Sequence, residues 1–83
     1  MFVLVRRYAP HEGYGQLLRY FYRAIDREYI RNLDAELRPE VRTTFDINAM
    51  RVEVRFAFRH KTLDNEELIS ELINKYGYEK EAE

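Results

Sequence analysis

The sequence contains no cysteine, one serine, two histidines, three glycines and two prolines. The lack of cysteine excludes a disulfide framework, a thiolate metal site and a cysteine nucleophile. With 46% hydrophobic and 35% charged residues, the composition is typical of a folded chain. At 83 residues there is room for one core, and folding removes only about 60 to 65% of the unfolded chain's surface from water. We expect modest stability unless a partner or a second copy covers more surface.

Long apolar runs are also missing. No segment approaches the ~18 apolar residues that a membrane-spanning helix needs. The opening apolar run, Phe2 to Val5, is too short for a signal peptide. We therefore expect a soluble, cytoplasmic protein without membrane contact, which would act in the host cytoplasm if the chain is viral.

The residues that usually carry catalysis are scarce and scattered. Ser70 falls within the last helical pattern without a histidine nearby, and His11 and His60 belong to separate elements. The chain has no phosphate-binding loop, because Gly13-Tyr14-Gly15 lacks the later glycine. We predict no catalytic residue, no metal site and no cofactor, and hence a protein that is not an enzyme.

Three strands and a long helix are indicated before the last helix. Met1 to Tyr8 is rich in β-forming residues and reads as a strand. Apolar residues at helical spacing predict one helix from Tyr14 to Leu37, which Pro39 stops. Residues 41–47 and 50–58 each alternate apolar and polar side chains. A two-residue turn at Asn48-Ala49 would set Phe45 opposite Val52 and place the apolar members on one face.

The last helix is predicted from its start signals. Asp64 as N-cap, Glu67 three residues later and Leu63 facing Leu68 form a capping box with a hydrophobic staple. Gly77 is placed to end the helix in a left-handed turn. We expect a single α+β domain over residues 1–76 and a charged, mobile C-terminal tail over residues 77–83.

The element order β-α-β-β-α predicts a three-stranded, mostly antiparallel sheet with two helices packed on one face, a split β-α-β arrangement like a ferredoxin fold without its last strand. The third strand would lie between the first and the second. The first strand would then be an exposed edge and the other sheet face would be bare, which favours a homodimer or a protein partner. The candidate edge-strand interface consists of Phe2, Leu4, Arg6 and Tyr8.

Charge is divided along the chain, although the formal net charge is -1. Residues 1–61 carry an excess of four positive charges and residues 62–83 an excess of five negative ones. Arg19, Arg23, Arg27 and Arg31 recur every fourth residue and form one ridge opposite the apolar stripe of the long helix. A ridge of like charges suits an acidic partner or a phosphate, and it is equally compatible with a solvated helix face.

A second basic group is expected on the bare sheet face. The hairpin register places Arg42 opposite Arg55, with Arg51 and Arg59 on the same side. An arginine pair across two strands is unfavourable unless a phosphate, a partner carboxylate or the acidic last helix of a second molecule lies against it. The absence of aromatic residues on this side of the hairpin, and a pI near 6.1, argue against a dedicated nucleic-acid protein.

Two resemblances follow from short motifs. The element order, the length and Ile69-Ser70-Glu71-Leu72-Ile73 in an acidic final helix resemble the DinI group, small regulators of the RecA recombinase. The aromatic, strongly acidic end of that group is replaced here by Tyr76-Gly77-Tyr78-Glu79. The spacing of Tyr14, Leu17, Tyr20 and Phe21 is similar to that of sliding-clamp-binding peptides, with Tyr14 in place of their glutamine.

The leading hypothesis is a small non-enzymatic interaction or regulatory protein that acts as a homodimer or docks on an acidic protein or a nucleoprotein complex. Such a protein would suit a phage or a virus as an accessory factor. The alternative is a direct nucleic-acid binder whose arginines contact phosphates, and a further alternative is a DinI-like modulator of a recombinase filament.

Overall fold

The computed structural model of the chain describes residues 1–9 and 14–81. Its elements in chain order are strand β1 (Phe2–Tyr8), helix α1 (Tyr14–Glu28), strands β2 (Glu40–Asp46) and β3 (Arg51–Phe58), helix α2 (Glu66–Asn74) and the short strand β4 (Glu79–Lys80). The four strands form one antiparallel sheet in the order β2-β3-β1-β4. The predicted α+β class with two helices is confirmed, and β3 lies between β1 and β2 as expected. The sheet has four strands in place of three.

Strand β3 supplies the centre of the core. Its alternate side chains Val52, Val54, Phe56 and Phe58 are buried, as the period of two predicts. They pack in one cluster with Phe21 of α1 and with apolar side chains of α2, including Leu72. Burial of each such side chain stabilises the fold by about 1.5 to 3 kcal/mol, so this cluster is the main source of stability.

The hairpin register is confirmed, but its turn is longer than predicted. Phe45 pairs with Val52, and the ladder ends at the Asp46–Arg51 pair, which leaves four residues, 47–50, in the turn. The positive φ of 51° lies at Met50, and neither Asn48 nor Ala49 adopts one. The Asp46 carboxylate accepts a hydrogen bond from the Ala49 N–H at 3.1 Å and so stabilises the turn from within.

Helix α1 ends earlier than the apolar pattern predicts. After Glu28 the chain forms two single 3₁₀ turns, Ile30–Asn32 and Ala35–Leu37. Side chains satisfy the carbonyl groups that a continued helix would have used: the Asn32 amide donates to the Glu28 carbonyl at 3.1 Å, and the Arg38 guanidinium donates to the carbonyls of Leu33 and Arg31. The prediction of one helix to Leu37 is therefore wrong, because these local hydrogen bonds replace the helical ones.

The start of α2 differs from the predicted capping box. The N-cap is Asn65, which makes no side-chain cap hydrogen bond, and Leu63 is 89% exposed, so it does not form the predicted staple with Leu68. Asn65 is fully buried instead: its Oδ1 accepts from the Thr62 N–H and its Nδ2 donates to the His60 carbonyl, both at 2.8 Å. The amide thus ties the loop after β3 to the helix start, a role that local capping rules do not describe.

The chain after α2 belongs to the fold. Gly77 has a φ of 74°, which confirms the predicted left-handed turn, and the Tyr78 N–H then donates to the Leu72 carbonyl at 2.9 Å. Tyr78 is buried in the core. The expected tail is therefore corrected over residues 78–81: Glu79–Lys80 pair with β1, and the Glu81 N–H donates to the Val3 carbonyl. Residues 82–83 lie outside the described residues.

Candidate functional site

The outward face of α1 carries three exposed arginines, Arg19, Arg23 and Arg27, which we call the α1 ridge. They lie opposite Phe21 and Ile25, which point into the core. The four-residue spacing turns the direction of each side chain by only about 40° from the last, so the three guanidinium groups share one strip. Over residues 1–9 and 14–81, no carboxylate forms an ion pair with any of the three. Tyr20 lies beside them and is 66% exposed.

Arg31, the expected fourth member, does not extend the ridge. Because α1 ends at Glu28, Arg31 lies in the first 3₁₀ turn, and its Nε donates to Asp26 Oδ2 at 2.8 Å. Its charge is therefore matched locally.

The bare sheet face is where the arginine pair was expected, and the register confirms Arg42 opposite Arg55. Carboxylates of the same chain satisfy both. Arg42 Nε donates to Glu40 at 2.8 Å, and Arg55 donates to Glu53 at 3.2 Å and to Glu81. The unfavourable pair is thus relieved internally, although each of these exposed ion pairs stabilises the fold by no more than about 1 kcal/mol.

The whole sheet face is mixed in charge. Arg7 Nε lies 3.1 Å from Glu53, which links β1 to β3. The face carries four arginines and five carboxylates: Arg7, Arg42, Arg51, Arg55, Glu40, Asp46, Glu53, Glu79 and Glu81. A surface of this kind has no net attraction for phosphate.

The remaining two candidate arginines lie at opposite ends of β3. Arg51 is exposed at the hairpin end, paired across the strands with Asp46. It borders an open cleft of about 590 Å³ that is also lined by Arg7, Glu53 and Asp46. Arg59 is exposed just after β3. Two arginines and two carboxylates line the cleft, so its charge does not favour an anionic ligand.

The residues of the candidate edge-strand interface have structural roles. β1 lies between β3 and β4, so the prediction that it forms a sheet edge is wrong. Leu4 and Tyr8 are buried, and Phe2 packs edge-on against Phe58 at 6.5 Å between ring centroids. Arg6 donates from Nη1 to the Tyr76 carbonyl at 3.0 Å and so holds the chain at the end of α2.

The surface of α2 is acidic, as the charge division along the chain predicts. Asp64, Glu66 and Glu67 are exposed at its start. Partial burial raises the pKa of the nearby Tyr29 hydroxyl above its ordinary value, and the carboxylates of Glu71, Glu67 and Glu28 raise it further. Together with the α1 ridge, these carboxylates give the helical layer a basic strip on α1 and an acidic surface on α2.

Among residues 1–9 and 14–81, no three His, Asp or Glu side chains converge as ligands for a metal ion. His60 is exposed, and His11 lies outside the described residues. None of the described helices is long and apolar enough to cross a membrane.

Sequence reasoning missed two residues of this surface. Glu81 was assigned to the tail, and only the pairing of β4 with β1 brings its carboxylate to Arg55. Glu40 precedes the alternating pattern of the hairpin, and its spacing of two residues from Arg42 was the signal that could have identified the pair.

No protein-family model, curated protein or solved structure matches this chain.

Proposed function

We propose that the chain is a non-enzymatic interaction protein that docks on an acidic protein surface through the α1 ridge, and that it associates with a second copy of itself. The observation that carries the docking is the contrast between its arginines. Those on the sheet face at positions 7, 42 and 55 have carboxylate partners within the chain, whereas Arg19, Arg23 and Arg27 have none among the described residues.

The unpaired ridge has an energetic cost that a partner would remove. Like charges four residues apart on a helix repel by roughly 0.2 to 0.5 kcal/mol per pair, and the ridge contains two such pairs. Carboxylates of a partner would convert this repulsion into attraction. Arginine suits such a role, because its planar guanidinium group binds carboxylates with two parallel hydrogen bonds. The exposed Tyr20 adds an amphipathic side chain of the kind that is enriched at protein interfaces.

An acidic protein is favoured over nucleic acid for two reasons. The net charge is -1, and the acidic surface of α2 lies in the same layer as the ridge, which would repel an extended polyanion. The described strands also place no aromatic side chain on the bare sheet face, where readers of single strands stack bases. Nucleic-acid binding is the alternative outcome of the experiment below.

A modulator of a recombinase filament, or an accessory protein of a phage or virus, is a narrower form of this proposal. The element order and α2 support the former. Ile69 and Leu72 of the resembling motif are buried in the core, so Ser70, Glu71 and Ile73 are the members that a partner could reach.

The docking proposal is tested by fluorescence anisotropy with two labelled probes, a poly-glutamate peptide of six residues, which is short enough to stay on the ridge, and a 20-nucleotide mixed-sequence single-stranded DNA. The ridge variant Arg19→Gln/Arg23→Gln/Arg27→Gln is compared with a control of equal charge change outside β2, Arg7→Gln/Arg55→Gln/Arg59→Gln. We expect the unmodified chain to bind poly-glutamate at low salt and the ridge variant to bind about tenfold more weakly, since three ion pairs are lost. The control should bind within about twofold of the unmodified chain.

Equal losses in both variants would show that only total charge matters and would contradict the docking proposal. Tighter binding to DNA, with an affinity that falls steeply with salt and depends on the ridge, would replace the acidic protein with nucleic acid as the partner. Absence of binding to either probe at low salt would also contradict it.

A further inference from the structure

The strand β2 is the longer of the two sheet edges. It has seven residues, whereas β4 at the opposite edge has two. Except for Val41, every residue of β2 is exposed. The strand contains neither proline nor lysine, and its ladder with β3 runs without a bulge. Proline, lysine and bulges usually prevent an edge strand from pairing with another chain. Because β2 has none of the three, it is available for strand addition.

A second copy is the simplest partner for such an edge. Two identical strands can pair antiparallel about a two-fold axis, and each residue then faces the same partner in both directions. The residue on the axis sets the register. Because the period of a strand is two, each choice changes which charges face each other.

Three registers pair five or more residues of β2 with the copy, those with Arg42, Thr43 or Thr44 on the axis, and the first two place like charges together. With Arg42 on the axis, two arginines face each other. With Thr43 on the axis, Glu40 of each chain faces Asp46 of the other. Registers with Val41 or Phe45 on the axis would pair only three residues of β2 and are therefore too short to hold two copies together.

The register with Thr44 on the axis is complementary on both faces. On the bare sheet face, Arg42 of each chain faces Asp46 of the other, on both sides of a Thr44–Thr44 pair. On the helix-side face, Thr43 faces Phe45 of the copy, and Val41 lies beside Ile47, the first residue of the copy's turn. Ile47 is 72% exposed in the single chain, so this pairing covers one of its most exposed apolar side chains.

The two charged groups retain hydrogen-bonding capacity for this contact. Arg42 uses its Nε for Glu40, which leaves both Nη groups without a partner among residues 1–9 and 14–81. Asp46 uses Oδ1 for the Ala49 N–H, and within the same ranges Oδ2 accepts no hydrogen bond. A bond between Arg42 Nη and Asp46 Oδ2 of the copy would thus form without breaking an interaction of the single chain.

We infer that β2 pairs antiparallel with β2 of a second copy, with Thr44 on the two-fold axis and two Arg42–Asp46 ion pairs flanking it, so that the two sheets become one sheet of eight strands. The inference specifies the surface of the proposed self-association. It does not use the α1 ridge, so it stands or falls separately from docking on an acidic partner.

Charge exchange tests the ion pairs by sedimentation velocity. Arg42→Asp and Asp46→Arg each place like charges together at both contacts. Each single variant should therefore raise the dissociation constant of the dimer tenfold or more. The double variant R42D/D46R restores opposite charges and should recover the dimer. An equimolar mixture of the two single variants should form a heterodimer, because every contact between them is then complementary.

Cysteine cross-linking tests the register, since the chain has no cysteine of its own. The Cα atoms of residues directly opposite on antiparallel strands lie about 4.5 to 5.5 Å apart, within the range of about 4.4 to 6.8 Å that a disulfide bridges. Thr44→Cys should therefore oxidise rapidly to a covalent dimer. Thr43→Cys is the matched control: in this register it faces Phe45 of the copy, and its own counterpart is diagonal, so cross-linking should be much slower.

The outcomes separate the surface from the self-association itself. A specific dimer has a dissociation constant well below about 100 µM. A chain that sediments as a monomer at this concentration or above therefore contradicts both the self-association and the proposed surface. A dimer that survives both single charge changes, or that cross-links faster at position 43 than at 44, keeps self-association but overturns this surface or register. Circular dichroism of each variant confirms that its fold is intact, and the cysteine variants leave the charged residues unchanged.

Discussion

Tyr78, a single side chain near the end of the chain, makes the stability of the fold depend on pH. It is buried, and its hydroxyl lies 3.1 Å from the hydroxyl of Tyr8. Burial, and then the hydrogen bond to Tyr8, raise the pKa of Tyr78 far above its ordinary value of 10.0, while Arg6 lowers it slightly. The folded state therefore keeps the proton at a pH where the unfolded state has lost it.

This difference predicts an alkaline loss of stability. Below pH 10 both states hold the Tyr78 proton, and its contribution is fully present. As the pH rises above 10, only the unfolded state releases it, so the free energy of unfolding falls by about 1.4 kcal/mol per pH unit. Tyr78→Phe should reduce this slope, to which Tyr29 with its raised pKa also contributes, while costing roughly 1 to 2 kcal/mol at neutral pH because the Tyr8 hydroxyl loses its partner.

Urea unfolding at intervals from pH 8 to 11.5 measures both effects. Tyr20→Phe is the matched control, because Tyr20 is exposed and its loss should leave the slope unchanged. Identical slopes for the Tyr78→Phe variant and the unmodified chain would show that Tyr78 ionises without unfolding.

At this scale the sequence identifies which residues are apolar but not which polar residues are buried. Leu63 and Asp64 satisfy the local rules of a staple and a cap, yet Asn65 is the residue that becomes buried. Its partners are the backbone groups of Thr62 and His60, whose positions depend on where β3 ends against the core. A pattern read along one helix carries no information about that path.

Two residues with a positive φ lie where one element joins the next, and their backbone conformation affects the stability of the fold. Gly77 follows α2 with a φ of 74°, and Met50 ends the β2–β3 turn with a φ of 51°. A methyl group added at Gly77 would meet only the Arg6 side chain, at an ordinary 3.9 Å. The cost of Gly77→Ala is therefore conformational, about 1 kcal/mol.

The reverse change at Met50 should stabilise the hairpin. Left-handed backbone costs a residue with a side chain about 1 to 2 kcal/mol, against about 0.5 to 1 kcal/mol for the entropy of glycine. Met50→Gly should raise the free energy of unfolding by roughly half a kcal/mol, since half of the Met50 side chain is already exposed. Thermal unfolding of both variants checks the opposite signs; a destabilised Met50→Gly variant would show that its side chain contributes more to packing than its exposure indicates.

The elements that the sequence predicts best are those whose pattern and tertiary pairing agree. The period of two in β3 and its register against β2 follow from placing apolar side chains on one face. The end of α1 could not be found in this way, because Ile30 and Leu33 stay buried after the helix has stopped. Apolar spacing records burial, and two 3₁₀ turns bury the same positions as a helical turn.

For the whole molecule, the division of charge was visible in the sequence, but its balance on the sheet face was not. The carboxylate of Glu81 reaches Arg55 only because β4 adds to the sheet. A strand of two residues has no detectable alternation, and its pairing with Leu4 and Val5 is non-local. The charge that the sheet face presents to a partner thus depends on the carboxylates that β4 and Glu81 add to it, and not on the arginines alone.

Residues 78–81 also determine where the folded unit ends, and truncated chains test this boundary. A chain ending at Tyr76, the boundary that the sequence suggests, lacks Tyr78, whose ring packs on those of Phe21 and Phe56 at 5.9 and 5.2 Å. Loss of a buried aromatic side chain costs about 3 to 5 kcal/mol, which is comparable with the whole stability of a small domain. We expect this chain to be largely unfolded by circular dichroism, whereas a chain ending at Glu79 keeps the ring and unfolds cooperatively at a lower temperature than the full chain. Equal cooperative transitions in the two truncated chains would show that the core closes without Tyr78, and that the boundary at residue 76 is right.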